Sequence, residues 1–133
     1  MYKTSFTIKT SAYLQLVDIH SQVVQAVTES GVRDGICYVF NPHTTGAITI
    51  NEGADPTVQT DIVLALETMI PFKLNYRHME GNSPSHVLAS LFGASETIFV
   101  DHGSLLLGTW QKIYFCEFDG PRTRTVHLRV VAG

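Results

Sequence analysis

The C-terminal stretch "SLLLGTWQKIYFCEFDGPRTRTVHLRVVAG", Ser104 to Gly133, sets the terms on which the rest of the chain folds. Two strand-like runs flank "DGPR", Asp119 to Arg122, whose Asp-Gly-Pro chemistry makes a tight turn without any functional pressure. The runs therefore read as an antiparallel hairpin that closes a sheet. Arg122 and Arg124 stand two apart and share a strand face, with Glu117 across the hairpin. Such a trio is either a cross-strand ion pair that steadies the hairpin or a guanidinium fork for phosphate or carboxylate. His127 alternates with Val126 and Leu128 and reads as a solvent-facing or satisfied strand histidine.

Moving outward, "KTSFTIKT" alternates and is rich in Thr, Ile and Phe, a strand pattern. "SQVVQAVTESG" spaces Val23, Val24 and Val27 for a helix that Gly31 stops. "GICYVF" and "GAITINE" are apolar strands separated by "NPHTT". Asp55-Pro56 is a strong helix start, an N-cap side chain before a proline whose missing amide costs nothing there, and that helix runs to about Met69. Ser83-Pro84 repeats the signal for a short helix ending near Gly93, and "ETIFVDHG" is a strand and turn. No repeat, linker or low-complexity tract interrupts residues 1–133, which read as one domain. Strands on both sides of a helical middle predict an α+β fold, mainly antiparallel sheet packed with a few helices.

At 133 residues and 44% hydrophobic composition the chain buries one core. Charged residues make up only 16%, low for a lone surface, so identical subunits are expected to cover part of it. The net charge of −3 supplies no basic footprint for nucleic acid. No apolar run reaches bilayer length and "MYKTSFTIKT" lacks a signal-peptide layout, so no membrane partner and a cytoplasmic location are expected. Cys37 and Cys116 sit singly inside apolar runs and read as inert core thiols, without the close spacing of a zinc site.

Six histidines are an excess. His20 beside a helix start and His102 in a turn need no partner. His43, His78 and His86 differ, because each falls at the edge of an element, where a rigid scaffold assembles sites. Three imidazoles with an open fourth position suit zinc or a similar divalent ion. "YRHMEGNSPSH", Tyr76 to His86, feeds two of them toward the helix start at Ser83, whose free amides suit an anion. The alternative is a well-capped helix with nothing bound. Glu52, closing the strand "GAITINE", is either a general base or an exposed strand-end acid. No GxSxG elbow, P-loop or GxGxxG is present.

Together, "HTTGAITINEGADPTV", "YRHMEGNSPSHVLASLFGAS" and "GTWQKIYFCEFDGPRTR" resemble, in order and spacing, the YjbQ-like family, over essentially the whole chain. The resemblance implies an α+β fold, a homotrimer with sites near its subunit interfaces, and weak thiamine-phosphate synthase activity, which joins hydroxymethylpyrimidine diphosphate to thiazole phosphate. It implies a polar cluster at His43, Thr44, Thr45, His78, Asn82, His86, Gln111, Arg122 and Arg124. Departures from the family pattern are Ser83 to Ser85 in place of an alanine-rich segment, Leu88 in place of a lysine, and His20 in place of a threonine.

Three functions follow as expectations. In the first, an enzyme acts on a phosphorylated small molecule: His43, His78 and His86 hold a divalent ion or move protons. Asn82 and Ser83 orient phosphate there, and Arg122 or Arg124 neutralises it. In the second, the same residues bind a metal or metabolite without turnover. In the third, Glu52 activates a metal-bound water to hydrolyse a phosphoester.

Overall fold

The structure, a computed structural model, describes residues 1–133. Eight strands and three helices follow one another as β1 (Tyr2–Lys9), β2 (Gln15–Asp18), α1 (His20–Ser30), β3 (Gly35–Phe40), β4 (Gly46–Glu52), α2 (Pro56–Met69), α3 (Ser83–Phe92), β5 (Ser95–Asp101), β6 (Ser104–Leu105), β7 (Gln111–Glu117) and β8 (Thr123–Ala132). They form a five-stranded sheet ordered β1-β8-β3-β5-β6 and a three-stranded sheet ordered β2-β7-β4, antiparallel throughout. The α+β expectation holds.

The closing hairpin does not form. β7 and β8 lie in different sheets, so the "DGPR" turn carries the chain from one layer to the other instead of folding it back on its neighbour. The reason lies in how many faces each strand must bury. On β7, Ile113 and Phe115 face the main core, where they meet Val126, Leu128 and Val130 of β8 and Val23 and Val27 of α1. Cys116 and the following Phe118 turn the other way, packing with Ala47, Leu66 of α2 and Leu88 of α3. β7 thus has no solvent face, and Ile113 to Glu117 are all buried. β8 has one: Val126, Leu128 and Val130 are buried while Thr125, His127 and Arg129 alternate outward. The three-stranded sheet is the middle layer, with the larger sheet on one face and α2 and α3 on the other.

Local signals set the helix ends. Asp55 accepts the Thr57 amide at 3.0 Å, and α2 ends at Met69 as the sequence predicts. Gly31 caps α1 in the left-handed region at φ 69°, where a side chain would be strained. At α3 the expected cap moves by one residue: Asn82 occupies the N-cap position, with Ser83 and Pro84 already helical. No helix is long and apolar enough to cross a membrane. Cys37 and Cys116 are buried and unpaired, and burial pushes the Cys37 thiol up to about 11 and the Cys116 thiol higher still.

Candidate functional site

Glu117, the last residue of β7, and Arg124, the second of β8, both point inward where the two sheets meet, and both are almost wholly buried. The sequence offered an ion pair or a ligand fork here. The structure has the ion pair, formed between the two sheets and not across a hairpin: Arg124 donates from Nε (2.8 Å) and Nη2 to the two carboxylate oxygens. Thr10 Oγ1 donates to the same carboxylate at 2.7 Å, and the Asp119 amide at 3.0 Å. Burial alone would raise the Glu117 carboxyl; the hydrogen bonds from Arg124, Thr10 and Asp119 outweigh it and hold the group below its usual range. Arg124 Nη2 also reaches Thr45 Oγ1 at 2.9 Å, fixing the start of β4.

Around this ion pair lies a cleft of about 500 Å³ whose lining is polar or charged apart from Pro42. His43, Thr44 and Thr45 enter it from the β3–β4 connection, His78 and Glu80 from the loop before α3, Asn82 and His86 from the start of α3, and Asp119, Arg122 and Arg124 from the β7–β8 crossing. Most of the polar cluster that the resemblance implies is therefore in one place. The imidazoles of His78 and His86 meet edge to face with ring centroids 5.4 Å apart, and Glu80 lies 3.9 Å from His78. Arg122 bonds Asp119 through Nε (2.8 Å, to the carbonyl) and Nη2 (3.0 Å, to the carboxylate). Arg122 and Arg124 each keep an Nη1 that makes no hydrogen bond within the chain.

His43 is the most constrained of the three histidines. Its Nε2 accepts the Thr125 amide at 2.9 Å, which requires the proton of a neutral ring to sit on Nδ1. Burial, then the Arg124 guanidinium, hold its pKa below the usual histidine value, so it stays neutral into mildly acidic solution. A ring whose Nε2 is already bonded is a poor third ligand, and no three His, Cys, Asp or Glu side chains converge to hold a metal. The residues as placed do not fit the three-histidine ion expected from the sequence.

Three other expected site residues lie apart from this cleft. Ser83 is outside its lining, and the α3 start already faces an internal anion, because Asn82 Nδ2 donates to Asp119 at 3.0 Å. Glu52 and Gln111 pair with each other at the far ends of β4 and β7. The six steps from Gly46 to Glu52, at about 3.4 Å each, put roughly 20 Å between the two ends of β4. Glu52 accepts the amides of Ala54 and Asp55, closing the turn into α2, so it is placed as a turn-forming acid. Gln111 lines a second cleft with Gly53 and Trp110. Conversely, Glu80 and Asp119 line the histidine cleft, and the sequence reading did not place them in a site; for Asp119, its nearness in sequence to Arg122 was the available signal.

The family model for UPF0047 protein YjbQ-like matches residues 4–133. The chain belongs to the YjbQ-like family. Among its relatives, UPF0047 protein MJ1081 of Methanocaldococcus jannaschii is 48% identical over 95% of this chain and 91% of its own. UPF0047 protein YugU of Bacillus subtilis is 45% identical over 98% of this chain and 99% of its own. A crystal structure of an uncharacterized YjbQ/UPF0047 protein from Clostridium acetobutylicum superposes with a TM-score of 0.95 at 51% identity, covering 96% of this chain and 99% of that one. A YbjQ-like protein of unknown function from Sulfolobus solfataricus gives 0.95 at 32% identity, covering 99% and 97%. The family is an uncharacterised one.

Proposed function

We propose that the histidine cleft binds a phosphorylated small molecule and acts on it. The observation that carries this reading is the lining: every residue is polar, charged or proline, and two guanidinium groups keep a free Nη1 after their own carboxylates are satisfied. An anion with several acceptor oxygens can take up such leftover donors, one on the half-exposed Arg122 and one on the buried Arg124. In this reading Arg122 and Arg124 hold the phosphate, Thr44 and Thr45 orient it, His78 and His86 exchange protons with it, and His43 stays neutral and acts as a fixed wall.

The reaction to test first is the joining of hydroxymethylpyrimidine diphosphate to thiazole phosphate, which the family resemblance implies. The departing diphosphate gains negative charge as its bond to carbon breaks, and positioned arginines lower the cost of that charge. Arg122→Ala and His86→Ala are expected to cut turnover at least tenfold; wild-type rates in both variants would remove the assignment. Binding without product in long incubations would leave the non-catalytic ligand-binding reading in its place. Hydrolysis through Glu52 has no geometric support, since that carboxylate closes a turn at the other end of β4.

A divalent ion stays outside this reading. Mass spectrometry of untagged protein is expected to find no stoichiometric metal, whereas one zinc per chain lost in His86→Ala would restore the histidine metal centre. We also propose that copies of the chain cover its exposed apolar surface as a homotrimer. α2 buries only Leu66 and exposes Leu64 and Met69, and Leu91 of α3 is exposed as well. Light scattering is expected to give three times the 14.7 kDa chain mass.

A further inference from the structure

The "GTWQ" turn plays no part in the histidine cleft. It forms the lip of a second cleft of about 540 Å³, closed on one side by α1, from His20 to Thr28, and on the other by the segment from Gly103 to Lys112. That volume lies within the range of sites for small organic ligands. Its character is the opposite of the histidine cleft. Val24, Val27, Leu105 and Leu107 give it an apolar wall, and Trp110 at the rim is 64% exposed. A half-hidden apolar wall beside an uncovered indole suits a flat ring, which gains area on one side and an offset aromatic contact on the other.

Two further observations narrow the ligand. His20 lines the cleft, and neither of its ring nitrogens makes a hydrogen bond within the chain; Nδ1 is in addition buried with no partner. The nitrogen left open to a ligand is Nε2, which donates or accepts according to tautomer, so its complement is a ring carrying a nitrogen acceptor or donor. Charge gives an anion little to hold inside the cleft: Lys112, the one lysine or arginine in the lining, is 3.8 Å from Asp18 with both half-exposed, and the Arg33 guanidinium beside Gly103 is outside the lining.

We propose that this cleft binds a small, uncharged nitrogen heteroaromatic, stacked against Trp110 and hydrogen-bonded to His20, independently of the phosphate reading of the other cleft. Trp110 is the only tryptophan in the chain, so its fluorescence reports this cleft directly. The experiment titrates adenine and benzimidazole, both neutral at pH 7.5, into the full chain while following that fluorescence, with inorganic phosphate as the control. The expected result is saturable quenching by at least one probe and none by phosphate. His20→Phe keeps a ring and removes both nitrogens, and is expected to weaken binding at least tenfold; His20→Ala serves if the bulkier variant misfolds. His86→Ala is expected to leave the titration unchanged. Linear quenching by both probes, equal affinity in the His20 variants, or loss of binding in His86→Ala would each overturn the proposal. None of these outcomes bears on whether phosphate occupies the histidine cleft.

Discussion

The two ends of the middle sheet are built by different physics. At the Glu117 end, a buried carboxylate takes hydrogen bonds from Arg124, Thr10 and the Asp119 amide, and the same arginine ties down Thr45. At the Trp110 end, a tight turn is closed by Gln111, whose side chain accepts the Gly108 amide at 2.8 Å and whose own amide bonds the Gly108 carbonyl. The first end is a network in which each group depends on the others; the second is a local turn with an exposed side chain on it. A site on the network is rigid but can be damaged from a distance, whereas a site on the turn can be changed one residue at a time.

Arg124→Ala is the most direct way to break that contrast. It leaves Glu117 buried without its cation, and removal of one partner of a buried ion pair costs on the order of 3–5 kcal/mol. Urea unfolding is expected to show a loss of that size. The double variant Arg124→Met with Glu117→Leu removes both charges and is expected to recover most of it, since well-packed apolar replacements of buried pairs are commonly neutral or better. If Arg124→Ala costs under about 1 kcal/mol, the network is not holding this end together.

That ion pair also marks what was readable in the sequence. The residues and their attraction are visible there, but the Asp-Gly-Pro turn between the two strands points to a hairpin that would make them neighbours. The information against a hairpin sat in the burial pattern. "IYFCE" has no outward residue to spare, whereas "TVHLRVV" alternates, and strands with different numbers of buried faces belong to different layers. Helix ends were legible because Asp55-Pro56 and Gly31 act through their own backbone. β2, four residues of "QLVD", carried too short a pattern to be noticed. At the candidate site, residue types at element edges single out His43, His78 and His86, which line one cleft. Strand length and register decided that Glu52 and Gln111 belong elsewhere, and no local pattern encodes those.

Gly120 tests the same end with a smaller expected effect. A Cβ there would lie 2.2 Å from the Ala12 carbonyl oxygen and 2.7 Å from Glu117 Cγ, so the crossing packs directly on the ion pair. Gly120→Ala is expected to cost about 1–3 kcal/mol by urea unfolding, the usual range for overpacking. A smaller loss would mean that the turn moves independently of Glu117.

Acid should act on the histidine end first. The folded His43 prefers to be neutral, so the unfolded chain binds the extra proton and stability falls as pH drops from the ordinary histidine value, 6.5, through the lowered folded one. The lowered Glu117 carboxyl adds a second loss further down, below its ordinary 4.5, as pH falls through its folded value. Unfolding midpoints measured from pH 7.5 to 5 are expected to decline in the wild type and to decline less in His43→Gln, which keeps an acceptor but cannot charge. Identical slopes in the two proteins would show that His43 titrates normally in the fold.

The smallest expected effect separates the two ends most clearly. Trp110 is largely exposed, and its indole serves neither core, so Trp110→Ala is expected to change stability by no more than about 0.5 kcal/mol. The turn beneath it is held by Gln111 and by the Gly53 amide bonding the Trp110 carbonyl at 2.7 Å, and both survive the substitution. A large loss would mean that the indole is a structural prop and that the second cleft is as interdependent as the first. A small one leaves a conspicuous aromatic that the fold does not need. An indole without a packing role is free to take the stacking role proposed for it at the second cleft.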